Sequence, residues 1–89
     1  GAVSEDTVAE LARQALRRSG ADLAVSISGI AGPGGAVPGK PIGTVWFGFA
    51  MRNGRRVVIE TQRKRFRGDR AAVREAAVRH ALRRLYSMA

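Results

Sequence analysis

The sequence predicts an α/β fold in which a sheet is layered between helices, built as one small domain. Three patterns carry that reading. Apolar residues recur at helical spacing through the first twenty positions. Asp22–Ser28 is short and apolar on both faces, as in a central strand covered on two sides. Two long aromatic and β-branched runs meet at Asn53-Gly54, and a second helical pattern follows them.

The elements follow in order. Ser4 is a good N-cap, with Glu5 and Asp6 suited to the positive end of a helix dipole. Val8, Leu11, Ala12, Ala15 and Leu16 continue the apolar face, and Gly20 is a natural stop, so a helix is predicted over 5–19. The Asp22–Ser28 strand comes next and is expected inside the sheet. It empties into residues 29–41, a connection with five glycines and three prolines, long for a small domain and of the kind that carries function or disorder. Ile42–Arg52 and Arg55–Phe66 read as a hairpin about a type I′ turn at Asn53-Gly54. The outgoing strand, with Val45, Trp46, Phe47 and Phe49, reads as buried on both faces, and the returning strand reads as a charged edge. Asp69 caps a last helix, whose apolar arc of Val73, Ala77, Val78, Ala81, Leu82 and Leu85 is expected to lie on the sheet, with Arg74 falling inside it. No internal repeat or domain boundary interrupts this order.

Composition narrows the function classes. The 89 residues contain no cysteine and one histidine, which excludes disulfides, thiolate metal sites and a conventional zinc site built from this chain. No apolar stretch approaches the roughly 20 residues that span a bilayer. The first residues also lack the apolar run of a secretory signal, so a cytoplasmic, non-membrane protein is expected. The net charge of +9 is carried almost wholly by arginine; Lys40 and Lys64 are the only lysines. Alongside the abundant alanine, glycine and valine, this matches an arginine-rich coding bias and solvated faces better than a dedicated nucleic-acid surface. A basic hairpin of Arg52, Arg55, Arg56, Arg63, Lys64, Arg65 and Arg67 keeps nucleic acid as a minor alternative. It lacks an accessible pair of aromatic stackers, because Trp46 and the phenylalanines read as core.

Four motifs stand in register: Gly1-Ala2-Val3-Ser4 opening a helix, Ser28-Gly29-Ile30-Ala31-Gly32-Pro33 ending a strand, Lys40-Pro41-Ile42-Gly43 opening the next, and Phe66-Arg67-Gly68-Asp69-Arg70 before the last helix. Together they resemble the CinA C-terminal domain family of PncC-like nicotinamide-nucleotide amidohydrolases, over almost the whole chain. The resemblance implies a three-layer α/β/α sandwich, of which residues 1–89 form the C-terminal part (helix, strand, loop, β-hairpin, helix). It implies deamidation of nicotinamide mononucleotide to nicotinate mononucleotide and ammonia, with no cofactor or metal and with a nucleotide as small-molecule partner; without the family's preceding strands, apolar sheet edge or helix surface should be exposed, so a homo-oligomer is expected. In the family, a segment with the proposed serine nucleophile, and a later lysine thought to activate it, precede the Gly-Ala-Val-Ser motif. The 89 residues alone are therefore expected to be inactive. A catalytically dead nucleotide-binding or structural module is the alternative.

The same resemblance singles out site residues. Ser28 stands where the family usually has threonine, at the carboxyl end of a strand, where ligands of layered sheets gather. Its hydroxyl is assigned a catalytic role in orienting the amide or relaying a proton. The plainer role is a serine bonding nearby backbone. Gly29, Gly32 and Gly34 are candidates for substrate binding, since bare backbone N–H groups approach a phosphate or oxyanion closely. Lys40 is the candidate phosphate partner or else a solvated loop lysine. Trp46 reads as core rather than a stacking surface, His80 as solvated, and Arg70 and Arg74 as a phosphate pair or surface partners of Asp69 and Glu75.

Overall fold

The structure, a computed structural model, describes residues 4–29 and 42–89. Helix α1 spans Glu5–Ser19, strand β1 Leu23–Ser28, β2 Ile42–Asn53, β3 Arg56–Arg67 and helix α2 Arg70–Met88. The strands form one antiparallel sheet in the order β1-β2-β3. Strand alternation sorts side chains to two faces. Ala24, Ser26, Gly48, Ala50, Val57 and Ile59 meet α1, where Ala12, Leu16 and Ala50 are fully buried. Val25, Ile27, Val45, Phe47, Phe49 and Phe66 meet Val73, Ala77 and Ala81 of α2 on the other side. The sheet is thus the middle of three layers, as the sequence predicts.

Local chemistry explains the helix limits. The Ser4 hydroxyl accepts from the Thr7 N–H at 3.2 Å, and Gly20 closes α1 in the left-handed region at φ 70°, its N–H donating to the Leu16 carbonyl. At the start of α2 the Asp69 carboxylate accepts from the Ala72 N–H at 2.9 Å.

Three expectations need correction. Among the described residues strand β1 lies at an edge rather than inside the sheet: it pairs with β2, and β2 is the middle strand. Its apolar faces reflect a helix on each side of it, which an edge strand shares with a central one. The hairpin turn is not type I′ about Asn53-Gly54. Asn53 pairs with Arg56 and its φ is not positive, so the two-residue loop is Gly54-Arg55 with φ 63° at Gly54 alone. That sign pattern is the type II′ one, with glycine at the first central position. Finally, Val78 and Leu82 do not lie on the sheet; they are 47% and 60% exposed. Helix α2 rests on the small residues Ala77 and Ala81 and rolls toward β3, where His80 and Arg84 find polar partners on Gln62 and Glu60.

Candidate functional site

Ser28 is the last residue of β1 and sits half-buried opposite Trp46 of β2. Gly29 follows at φ 77°, a left-handed conformation that glycine enters at no steric cost. It turns the chain off the sheet there. On the far side of Trp46 lies Arg63 of β3, the register partner of that residue, with its guanidinium carbon 5.8 Å from the ring centroid. Ser28, Trp46 and Arg63 therefore form one row across all three strands, on the face that α1 covers.

Helix α1 is fixed to the preceding row, Ser26, Gly48 and Thr61. The Ser26 hydroxyl donates to the Val8 carbonyl at 2.6 Å, and the Thr61 hydroxyl donates to the Glu5 carboxylate at 2.9 Å. The row of Ser28 and Trp46, both half-buried, lies two strand residues further on, about 7 Å. Among the described residues no hydrogen bond to the Ser28 hydroxyl occurs, so the plain backbone-bonding role for it is not seen there. Gly32, Gly34 and Lys40 lie outside the described residues.

The other polar candidates resolve differently from their sequence reading. His80 is not solvated. Its ring packs edge-on to Phe47 at 4.8 Å, and Nε2 lies 2.6 Å from the Gln62 side-chain oxygen. Burial lowers its pKa from the ordinary histidine value, and the nearby charges of Lys64 and Arg83 lower it further. All this is on the α2 face of the sheet, opposite the face of Ser28. Arg74 is exposed rather than inside the helix contact, and Glu75 pairs with Arg79 at 2.6 Å instead of with Arg70 or Arg74. Asp69 is occupied by its capping bond.

Sequence reasoning missed two arrangements. Arg84 grips Glu60 with two parallel hydrogen bonds, Nε to Oε2 at 2.7 Å and Nη2 to Oε1 at 2.5 Å, and this holds the Glu60 carboxyl below its ordinary pKa. The row of Trp46 and Arg63 was also missed, because counting outward from a turn at Asn53-Gly54 pairs Trp46 with Thr61, whereas the Gly54-Arg55 loop pairs it with Arg63. Among the described residues no cluster of three or more histidine, cysteine or carboxylate side chains could hold a metal. No helix among them is long and apolar enough to cross a membrane.

This geometry belongs to a known architecture. The sequence matches the CinA C-terminal domain over residues 1–89. The chain belongs to the CinA C-terminal domain family. It is 54% identical over 86 residues to nicotinamide-nucleotide amidohydrolase PncC of Escherichia coli, covering 97% of this chain and 50% of that protein. It is 57% identical over 79 residues to the PncC of Enterobacter agglomerans, covering 88% of this chain and 46% of that protein. Among solved structures it resembles a CinA superfamily protein of Klebsiella pneumoniae, with 50% identity and a TM-score of 0.76 over 94% of this chain and 50% of that one. It also resembles a competence or damage-inducible protein of Enterobacter asburiae, with 39% identity and a TM-score of 0.80 over 98% of this chain and 52% of the other. The chain spans about half the length of these CinA-family relatives.

Proposed function

We propose that residues 1–89 act as the C-terminal part of a nicotinamide-nucleotide amidohydrolase domain that converts nicotinamide mononucleotide and water into nicotinate mononucleotide and ammonia. The observation that carries this reading is the position of Ser28: a hydroxyl at the carboxyl end of β1, followed by a left-handed Gly29 and half-buried opposite Trp46. Identity above one half to relatives named for that activity supports it. In this reading the Ser28 hydroxyl contacts the carboxamide and relays a proton as the carbon–nitrogen bond breaks. Backbone N–H groups at Gly29, Gly32 and Gly34 face the oxyanion or phosphate, and Lys40 neutralises the phosphate. The reaction needs no metal.

The described residues do not supply an activated nucleophile. A serine hydroxyl needs an adjacent base to attack an amide, and His80, the one histidine, is held by Gln62 on the opposite face of the sheet. The 89-residue chain alone is a nucleotide-binding module in this reading. Hydrolysis belongs to a longer protein that carries it, assembled as a homo-oligomer in the cytoplasm.

Ammonia release from nicotinamide mononucleotide under chelator tests the proposal. A full-length family domain bearing this segment should turn over; Ser28→Ala should lower kcat more than it raises KM, as for an interaction made in the transition state. Turnover by the 89-residue chain at a similar rate, or a Ser28→Ala protein with unchanged kcat, would overturn it.

A further inference from the structure

We propose that Trp46 and Arg63 form a subsite for a zwitterionic pyridinium ribonucleotide, with the indole face taking the cationic ring and the guanidinium taking the phosphate; this rests on the nucleotide reading above. Three observations on the page carry it. Trp46 is a large aromatic that stays half-buried, one row beyond the contacts of α1 with Ser26, Gly48 and Thr61. The same strand buries Phe47 and Phe49 fully on the other face. Its immediate cross-strand neighbours on that face are Ser28, the proposed amide contact, and Arg63. Neighbouring strands lie about 4.8 Å apart, so carboxamide, ring and phosphate contacts would fall in sequence along one row.

The chemistry matches at both ends. The π face of tryptophan attracts cations and is the strongest of the aromatic side chains in doing so. The Arg63 guanidinium stands over that ring at 5.8 Å, so a positively charged pyridinium takes its place on the indole as Arg63 turns to the phosphate. Arg63 is exposed and makes no ion pair among the described residues, and its planar fork fits phosphate oxygens. A ligand that is cationic at one end and anionic at the other engages both groups together, whereas a neutral base or a bare phosphate engages one.

Trp46 is the only tryptophan of the chain, so its fluorescence reports on this row alone. The 89-residue chain is titrated with nicotinamide mononucleotide, nicotinamide riboside and ribose 5-phosphate, with calorimetry in parallel. The mononucleotide should quench Trp46 and bind more tightly than either fragment. Arg63→Gln should weaken the mononucleotide about tenfold or more, the loss expected of a charge-assisted hydrogen bond. It should leave the riboside within about twofold of wild type, and Arg63→Lys should recover part of the loss. Arg63 is exposed, so these variants keep the fold, which circular dichroism checks. Binding by calorimetry with no quenching, or with the same affinity in Arg63→Gln, overturns the subsite and leaves the nucleotide reading intact. No calorimetric binding of the mononucleotide overturns both.

Discussion

The Ser26 hydroxyl donates to the main-chain carbonyl of Val8 at 2.6 Å, and it does so beside the bare Cα of Gly48. This contact fixes where α1 lies on the sheet. A Cβ on Gly48 would stand 2.1 Å from the Val8 oxygen and 2.7 Å from the Ser26 hydroxyl, so helix and sheet approach as backbone against backbone there. The row of Ser28 and Trp46 comes next along the strands, so one glycine sets the packing distance between helix and sheet beside the candidate site.

Gly48→Ala should accordingly be among the costly single substitutions in this chain. The new methyl meets backbone rather than a movable side chain, so α1 must lift. Overpacking of this kind costs about 1–3 kcal/mol, occasionally more. Urea denaturation should show a lower midpoint; an unchanged midpoint would mean that α1 is not seated as described.

Ser26→Ala isolates the hydrogen bond from the packing. It removes the donor and adds no bulk, so the expected loss is about 0.5–1.5 kcal/mol. Because Ser26 and Gly48 share the Val8 carbonyl, the double variant should lose less than the two single losses together. Additive losses would argue that the bond and the close approach are independent.

Much of this architecture was legible in the sequence because local rules and tertiary packing agree. Ser4, Gly20 and Asp69 cap as their residue types dictate, and helix α1 spans Glu5–Ser19 as its apolar spacing predicts. What was not legible depended on neighbours. Alternation cannot say whether β1 has one strand beside it or two, since helices cover both its faces in either case. Periodicity placed Val78 and Leu82 on the sheet, but the polar pairs His80–Gln62 and Arg84–Glu60 turn α2 the other way. At the candidate site, Ser28 stands where its strand position implies. Trp46, read as core, is half-buried, with the Arg63 guanidinium over its ring.

The burial of His80 against Phe47 sets a pH dependence. Its folded pKa lies below the ordinary value of 6.5, chiefly through burial, so between the two values the unfolded chain binds the extra proton. Stability from this residue is therefore fully present above pH 6.5 and is lost as the pH falls through 6.5 toward the folded value. The urea midpoint should be lower at pH 5.5 than at pH 7, a window in which histidine is the side chain that titrates. His80→Gln should flatten that difference. NMR titration of the single imidazole should place its pKa below 6.5, and a value above it would reverse the sign of the argument.

Self-association follows from the contrast between the two edges of the sheet. Strand β3 carries Arg56, Arg63, Lys64, Arg65 and Arg67, charges that discourage edge-to-edge pairing. Strand β1, Leu-Ala-Val-Ser-Ile-Ser, carries none and has no proline or bulge to blunt it. Val78 and Leu82 lie on the flank of α2 turned away from β3, and Leu11 of α1 is 46% exposed as well. An antiparallel pairing of two β1 strands is two-fold symmetric, so a second copy is the natural occupant, as in closed isologous dimers. The net charge of +9 opposes that association, and salt screening should relieve the repulsion. Sedimentation of the 89-residue chain at rising concentration should therefore show a species heavier than the 9.5 kDa monomer, more of it at high salt. Leu82→Lys should return it to monomer without lowering the unfolding midpoint, because the side chain is exposed. A single 9.5 kDa species at every concentration and salt level would remove the argument from edge exposure.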